Sequence, residues 1–187
     1  MQHEQKAWSE FVTYCAISTL LYFGTYHLNT WLPSSVAIAP YVSLIYLPAA
    51  IRVLAVLVMG LPAAVGLMLG TLLSIYTTEG AWEHVWYETL PTSFISGFGA
   101  LLAVSIGTRL LKLPADLAGL RPLHLLQLSI LGAVCNAIPT NTFFWLMGHI
   151  SAPLDDALLM FSGDVIGSLV MLWLAATAVK LISNSHR

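Results

Sequence analysis

Two ionisable side chains stand where apolar sequence should run on unbroken. Arg52 lies eight residues before Gly60 in a stretch of Ala, Val, Leu and Ile, and Asp164 lies in Phe161-Ser162-Gly163-Asp164-Val165-Ile166-Gly167-Ser168. A charged group near the middle of a bilayer costs at least about 2.5–3.5 kcal/mol on insertion scales. Arg52 can extend its stem to the headgroups, or it can act as a paired or ligand-facing cation. Asp164 is short and cannot reach far, so it must be paired, protonated, hydrogen-bonded or hydrated. It is either an acid that locks helices together or the centre of a site, with Ser162 a further polar candidate beside it. A third polar set is Asn136-Ala137-Ile138-Pro139-Thr140-Asn141-Thr142. Pro139 lacks a backbone donor and frees carbonyls that nearby side chains could satisfy. This predicts a kink or break there, with Asn136, Thr140 and Asn141 toward the bundle interior. Such an interruption is either a harmless proline kink or a binding site between half-helices. Gln127 and Ser129 extend the same polar face.

Other chemistries find little footing. His27, His84, His124 and His149 are scattered, with no two at metal-ligand spacing on one helix, and Cys15 and Cys135 are lone thiols in apolar runs that cannot make a metal site alone. No P-loop, nucleophile elbow or HExxH motif is present, and no nucleophile, base and orienting group converge. The expectation is a non-enzymatic protein with no metal or cofactor. A net charge of -2 gives no reason to expect a nucleic acid partner.

The elements that must position these residues are membrane helices. The 187 residues are 58% hydrophobic and 9% charged, against about 25% charged in soluble domains, so a lipid bilayer is the expected solvent and principal partner. The fold class expected is all-α: a polytopic bundle of about six transmembrane helices, with residues 1–187 forming one integral membrane domain. The spans read as Phe11–Leu28, Ala39–Met59, Leu61–Tyr76, Leu90–Leu113, Leu123–Gly148 and Leu158–Ile182. Gly60 to Pro62 is a tight turn signal, which makes the second and third spans a helical hairpin or a partly re-entrant pair. The first ten residues lack a strongly basic region and a cleavage site, so the first span is expected to be retained.

Orientation follows from the basic residues, which stay cytoplasmic beside spans. Lys6, Arg109, Lys112, Arg121, Lys180 and Arg187 all flank one side. Thr77–Glu88, with Glu79, Glu83 and Glu88, and Gly148–Asp156, with Asp155 and Asp156, carry no Lys or Arg. Both termini are therefore expected inside, with Trp31, Trp82, Trp86 and Tyr87 at the outer interface. On this topology Asp164 lies about 10 Å from the outer side and Arg52 about 12 Å from the inner side, at about 1.5 Å per residue. Roughly 8 Å of height would separate them across about 30 Å of hydrocarbon, which makes Arg52 the expected charged neighbour of Asp164.

Gly163 and Gly167 form a GxxxG pair beside Asp164, and Gly66 and Gly70 form another. Both, with Ser96-Gly97-Phe98-Gly99-Ala100, predict bare faces on which another helix can pack closely.

Three stretches together have a familiar order: Tyr46-Leu47-Pro48-Ala49-Ala50 leading to Met59-Gly60, then Leu61-Pro62-Ala63-Ala64-Val65-Gly66 with Gly70, and Gly163-Asp164-Val165-Ile166-Gly167. They resemble the first type of bacterial membrane-associated sensor domain, over roughly Tyr46 to Lys180. The resemblance implies a sensory bundle in the bacterial cytoplasmic (inner) membrane that passes a signal to partner proteins, and the reading expects no output domain after the last span. The function expected is a stand-alone sensor, or a module binding an unknown small ligand. The alternative is a small transporter or the substrate-binding subunit of an importer, with transport proteins as partners.

Overall fold

The computed structural model describes residues 2–31, 37–39, 42–79, 86–114, 117 and 119–185. The expected sites Trp82, Glu83, His84 and Arg187 lie outside them. Six helices and one short hairpin make up the described residues: α1 (Gln2–Thr30), β1 (Ala37–Ala39), β2 (Val42–Ser43), α2 (Pro48–Met59), α3 (Leu61–Glu79), α4 (Trp86–Leu110), α5 (Pro122–Leu146) and α6 (Pro153–Ser185). β1 and β2 pair antiparallel, Ala37 with Ser43 and Ala39 with Val42.

α2 is the axis of the bundle and touches each of the other helices. The others follow one another around it, α1 against α3, α3 against α4, α4 against α5 and α5 against α6, while β2 lies on α6. α2 is apolar apart from Arg52, as suits a largely enclosed helix; Ala49, Ala50, Val53, Ala55 and Val56 are all buried. The core around it holds Ala63, Ala64, Leu67, Ala100 and Leu128. Large apolar side chains such as Leu20, Phe94, Leu102, Ile138, Leu158 and Trp173 point outward, where hydrocarbon can receive them.

The bundle is all-helical in its spanning parts, but the span count is lower than six. Among the described residues four helical segments are long and apolar enough to cross a membrane, Leu61–Thr78, Trp86–Leu110, Pro122–Leu146 and Pro153–Thr177. The chain is thus a multi-pass membrane protein by length and composition. α1 is long but carries Thr13, Tyr14, Ser18, Thr19, Tyr22, Thr25, Tyr26 and His27, which dilute its apolar character. The expected span Ala39–Met59 is helical only from Pro48, and 12 residues rise about 18 Å, short of the hydrocarbon thickness. The residues just before α2 do not continue it as a helix, and their amides bond elsewhere: Tyr46 N–H donates to the Gly163 carbonyl at 3.1 Å, and Leu47 N–H donates to Asn29 Oδ1 at 3.0 Å. Non-helical backbone within a bundle is tolerated where other protein groups take its hydrogen bonds, as Gly163 and Asn29 do here. α2 and α3 follow one another across Gly60 and pack together, α2 being the shorter arm. Gly60 closes α2 at φ 63, a left-handed conformation that glycine enters freely, and donates to the Val56 carbonyl.

Glycine faces set the spacing of the elements. On α3, a Cβ at Gly66 would collide with the Cys15 carbonyl and one at Gly70 would lie 3.0 Å from the Thr19 carbonyl of α1, as expected of a close helix pair. The Gly163 and Gly167 face of α6 is different. A Cβ at Gly163 would meet the Ser43 carbonyl and one at Gly167 the Tyr46 carbonyl, so this face receives the non-helical lead-in to α2. The expectation of a helix there is corrected: the backbone leading into α2 occupies the bare glycine face, because a face without Cβ admits any main chain that reaches it.

α5 is likewise not broken. It runs through Pro139 without interruption from Pro122 to Leu146. The carbonyl that Pro139 leaves without its helical donor is that of Cys135, and this oxygen faces Gly99 of α4, where a Cβ would come within 2.8 Å. The missing bond is absorbed by close helix packing instead of unwinding.

Candidate functional site

Asp164 on α6 and Arg52 on α2 meet directly. Arg52 Nη2 donates to both carboxylate oxygens of Asp164 at 2.9 Å, with Arg52 5% and Asp164 2% exposed. Asn136 of α5 donates from Nδ2 to Asp164 Oδ2, also at 2.9 Å. The three side chains therefore fasten α2, α5 and α6 to one another. The heights agree with the contact. Asp164 is eleven residues into α6, about 16 Å along it, and Asn136 is ten residues from the nearby end of α5, about 15 Å along it. The cluster thus lies about half a hydrocarbon thickness of about 30 Å from that end of the two helices. The separation of about 8 Å expected from sequence closes because α6 begins at Pro153, five residues earlier than the apolar run alone suggested.

The cation has a second, aromatic neighbour. Arg52 Cζ lies 5.3 Å from the centroid of the Tyr46 ring, within cation–π range, and the Tyr46 hydroxyl is 2.7 Å from that of Tyr22 on α1. Tyr46 reaches this place because Gly163 and Gly167 let its backbone lie against α6. On the other side, Met160, one turn before Asp164, takes the Asn141 amide on its sulfur at 3.4 Å, and Asn141 also donates to the Ala137 carbonyl at 2.8 Å. A polar chain thus crosses the bundle from Tyr22 through Tyr46, Arg52, Asp164 and Asn136 to the Met160–Asn141 contact.

The chemistry available is that of a buried ion pair with donors to spare. Only Nη2 of the guanidinium is engaged; Nε and Nη1 donate to no group among the described residues, and they are not sealed off within the protein. Arg52 lines a small cleft, with room for about one water molecule, whose walls include Ala49, Ser96, Ala100, Ser129, Gly132 and Asn136. Ser96 is bound from behind by Thr71 of α3, Oγ1 to Oγ at 2.8 Å. Taking two charges out of water is expensive, and apolar residues of similar volume usually serve stability as well or better. An ion pair at this depth is therefore a candidate for function as well as for register.

The structure brings some of the expected residues together and leaves others apart. Arg52, Asp164 and Asn136 converge. Asn141 is buried and joins through Met160, and Thr140 is buried on the same face of α5, as expected of both. Ser162 instead bonds its own helix, Oγ to the Leu158 carbonyl at 2.8 Å, and takes no part. Tyr46, Tyr22 and Met160 were not singled out: a Tyr or Met in an apolar run carries no sign of its own, and only the proximity of Tyr46 to Pro48 hinted that its backbone leaves the helix. At the far end of the bundle His149 Nε2 lies 3.0 Å from Glu88 Oε1 and His27 Nε2 lies 3.1 Å from Thr77 Oγ1, so these two histidines pair separately. Among the described residues no group of three His, Cys, Asp or Glu side chains could hold a metal ion.

Set against models of known families, against curated proteins and against solved structures, the chain matches none.

Proposed function

We propose that the chain is a non-enzymatic membrane sensor or small-ligand-binding module of the bacterial inner membrane, working through partner proteins, with both termini cytoplasmic. The observation that supports it most is the Arg52–Asp164–Asn136 cluster, because three elements meet there on charges that lipid cannot satisfy. A ligand that competes for either charge would loosen α2 from α6, and a bundle whose central helix is joined to α6 by an ion pair can exist in two packings that a ligand can bias. The resemblance of Tyr46–Gly70 and Gly163–Gly167 to sensor domains points the same way.

One observation favours the second reading, a small transporter or the substrate-binding subunit of an importer. α2 is a short helix preceded by non-helical backbone that bonds to α6, a form that discontinuous helices take at transporter binding sites. Purified protein in lipid vesicles separates the two. The sensor reading expects ligand-dependent stabilisation without accumulation of that ligand in the vesicle lumen; accumulation by the chain alone, or only with a partner ATPase, would overturn it in favour of transport.

A further inference from the structure

We infer that the ligand class of the Arg52–Asp164 site is a small zwitterion of the α-amino acid type, its carboxylate on Arg52 and its ammonium on Asp164; this rests on the ligand-binding reading above. The first ground is the spare hydrogen-bonding capacity. Nε and Nη1 of Arg52 have no partner among the described residues, while the side chain is 6% exposed and borders the cleft. The planar fork of a guanidinium matches the two oxygens of a carboxylate. The second ground is charge balance. The pair is neutral as a whole and buried, so an anion that captured Arg52 alone would strand Asp164, and a cation that captured Asp164 alone would strand Arg52. A stranded buried charge is strongly unfavourable. A ligand carrying both signs replaces each partner with another, and Asn136 continues to hold Asp164 Oδ2.

The third ground is size. The cleft holds about one water molecule, and its walls are small residues, Ala49, Ala100, Gly132 and Ala133, with the hydroxyls of Ser96 and Ser129. Val53 completes the wall, and among the described residues no aromatic side chain lines it, so a ligand seated as Arg52 and Asp164 part would be no larger than glycine, alanine or serine. The same parting releases α2 from α6, which couples occupancy to the central helix.

The test uses the full chain in nanodiscs, its unfolding followed by tryptophan fluorescence, with glycine, L-alanine and L-serine as probes. Acetate, methylamine and urea at equal concentration serve as comparisons. The expected result is a melting temperature that rises with amino acid concentration, and that acetate or methylamine alone leaves unchanged. Ser129→Val, which keeps the ion pair, should weaken the apparent affinity about tenfold through one lost hydrogen bond and a fuller cleft. An equal shift with acetate, methylamine or urea that Ser129→Val weakens would overturn the zwitterion assignment and leave the ligand-binding reading standing. Absence of a shift with every probe, or shifts indifferent to Ser129→Val, would overturn the assignment of ligand and site together.

Discussion

A guanidinium and a carboxylate 2.9 Å apart and both buried make removal of one partner a sharper perturbation than removal of both. Asp164→Asn leaves Arg52 buried without a counter-charge, and Arg52→Gln leaves Asp164 so. Each should destabilise the bundle by about 3–5 kcal/mol, and the double change by clearly less. Folded yield in mild detergent and melting temperature measure it, and equal losses in single and double variants would show that the pair contributes nothing as a pair. Both charges were conspicuous in the sequence because each breaks an apolar run, and their depths placed them within reach of each other. Tyr46 and Tyr22 were not legible in that way. Their hydroxyl contact at 2.7 Å depends on where an extended segment lies, which no residue type announces.

At the scale of elements, the decisive contact is the one between the Gly163–Gly167 face and the backbone of Ser43 to Tyr46. The obstacle to a larger residue there is main chain, which cannot rotate aside, so Gly167→Ala should destabilise by about 1–3 kcal/mol as overpacking does. Gly24→Ala is the matched control, since nothing lies within 4 Å of a Cβ there and a helical alanine is intrinsically favoured over glycine. Thermal unfolding of both variants checks the pair of expectations, and equal melting temperatures would show that α6 can move off the segment freely. The GxxxG spacing was visible in sequence, but its partner was not, because small-residue spacing specifies a bare face and says nothing of what fills it. Pro139 teaches a similar limit. Its missing donor was certain, while the response, packing of Gly99 against the Cys135 carbonyl, required a second helix to be in place.

At the scale of the whole molecule, orientation is open to a direct chemical measurement. The basic residues Lys6, Arg109, Lys112 and Arg121 flank one side and the acidic connections the other, which predicts an external Glu83. A cysteine at Glu83, on a background lacking Cys15 and Cys135, should react with an impermeant thiol reagent applied to intact cells. Protection of Glu83→Cys together with labelling of Arg187→Cys would reverse the topology.

The sequence by itself determined the solvent, the helical class, the turn at Gly60 and the two charges, because composition and local spacing act through the nearest residues and the bilayer alone. Tertiary structure decided which apolar run would not become a full span. Residues 43–47 are as apolar as a spanning helix, yet Tyr46 and Leu47 gave their amides to Gly163 and Asn29, and this left α2 a half-length axis. Competition between a helical hydrogen bond and a bond to another element is settled by the neighbours that are present. Those neighbours lie more than a hundred residues away in the case of Gly163, so the outcome exists only once the bundle has assembled around α2.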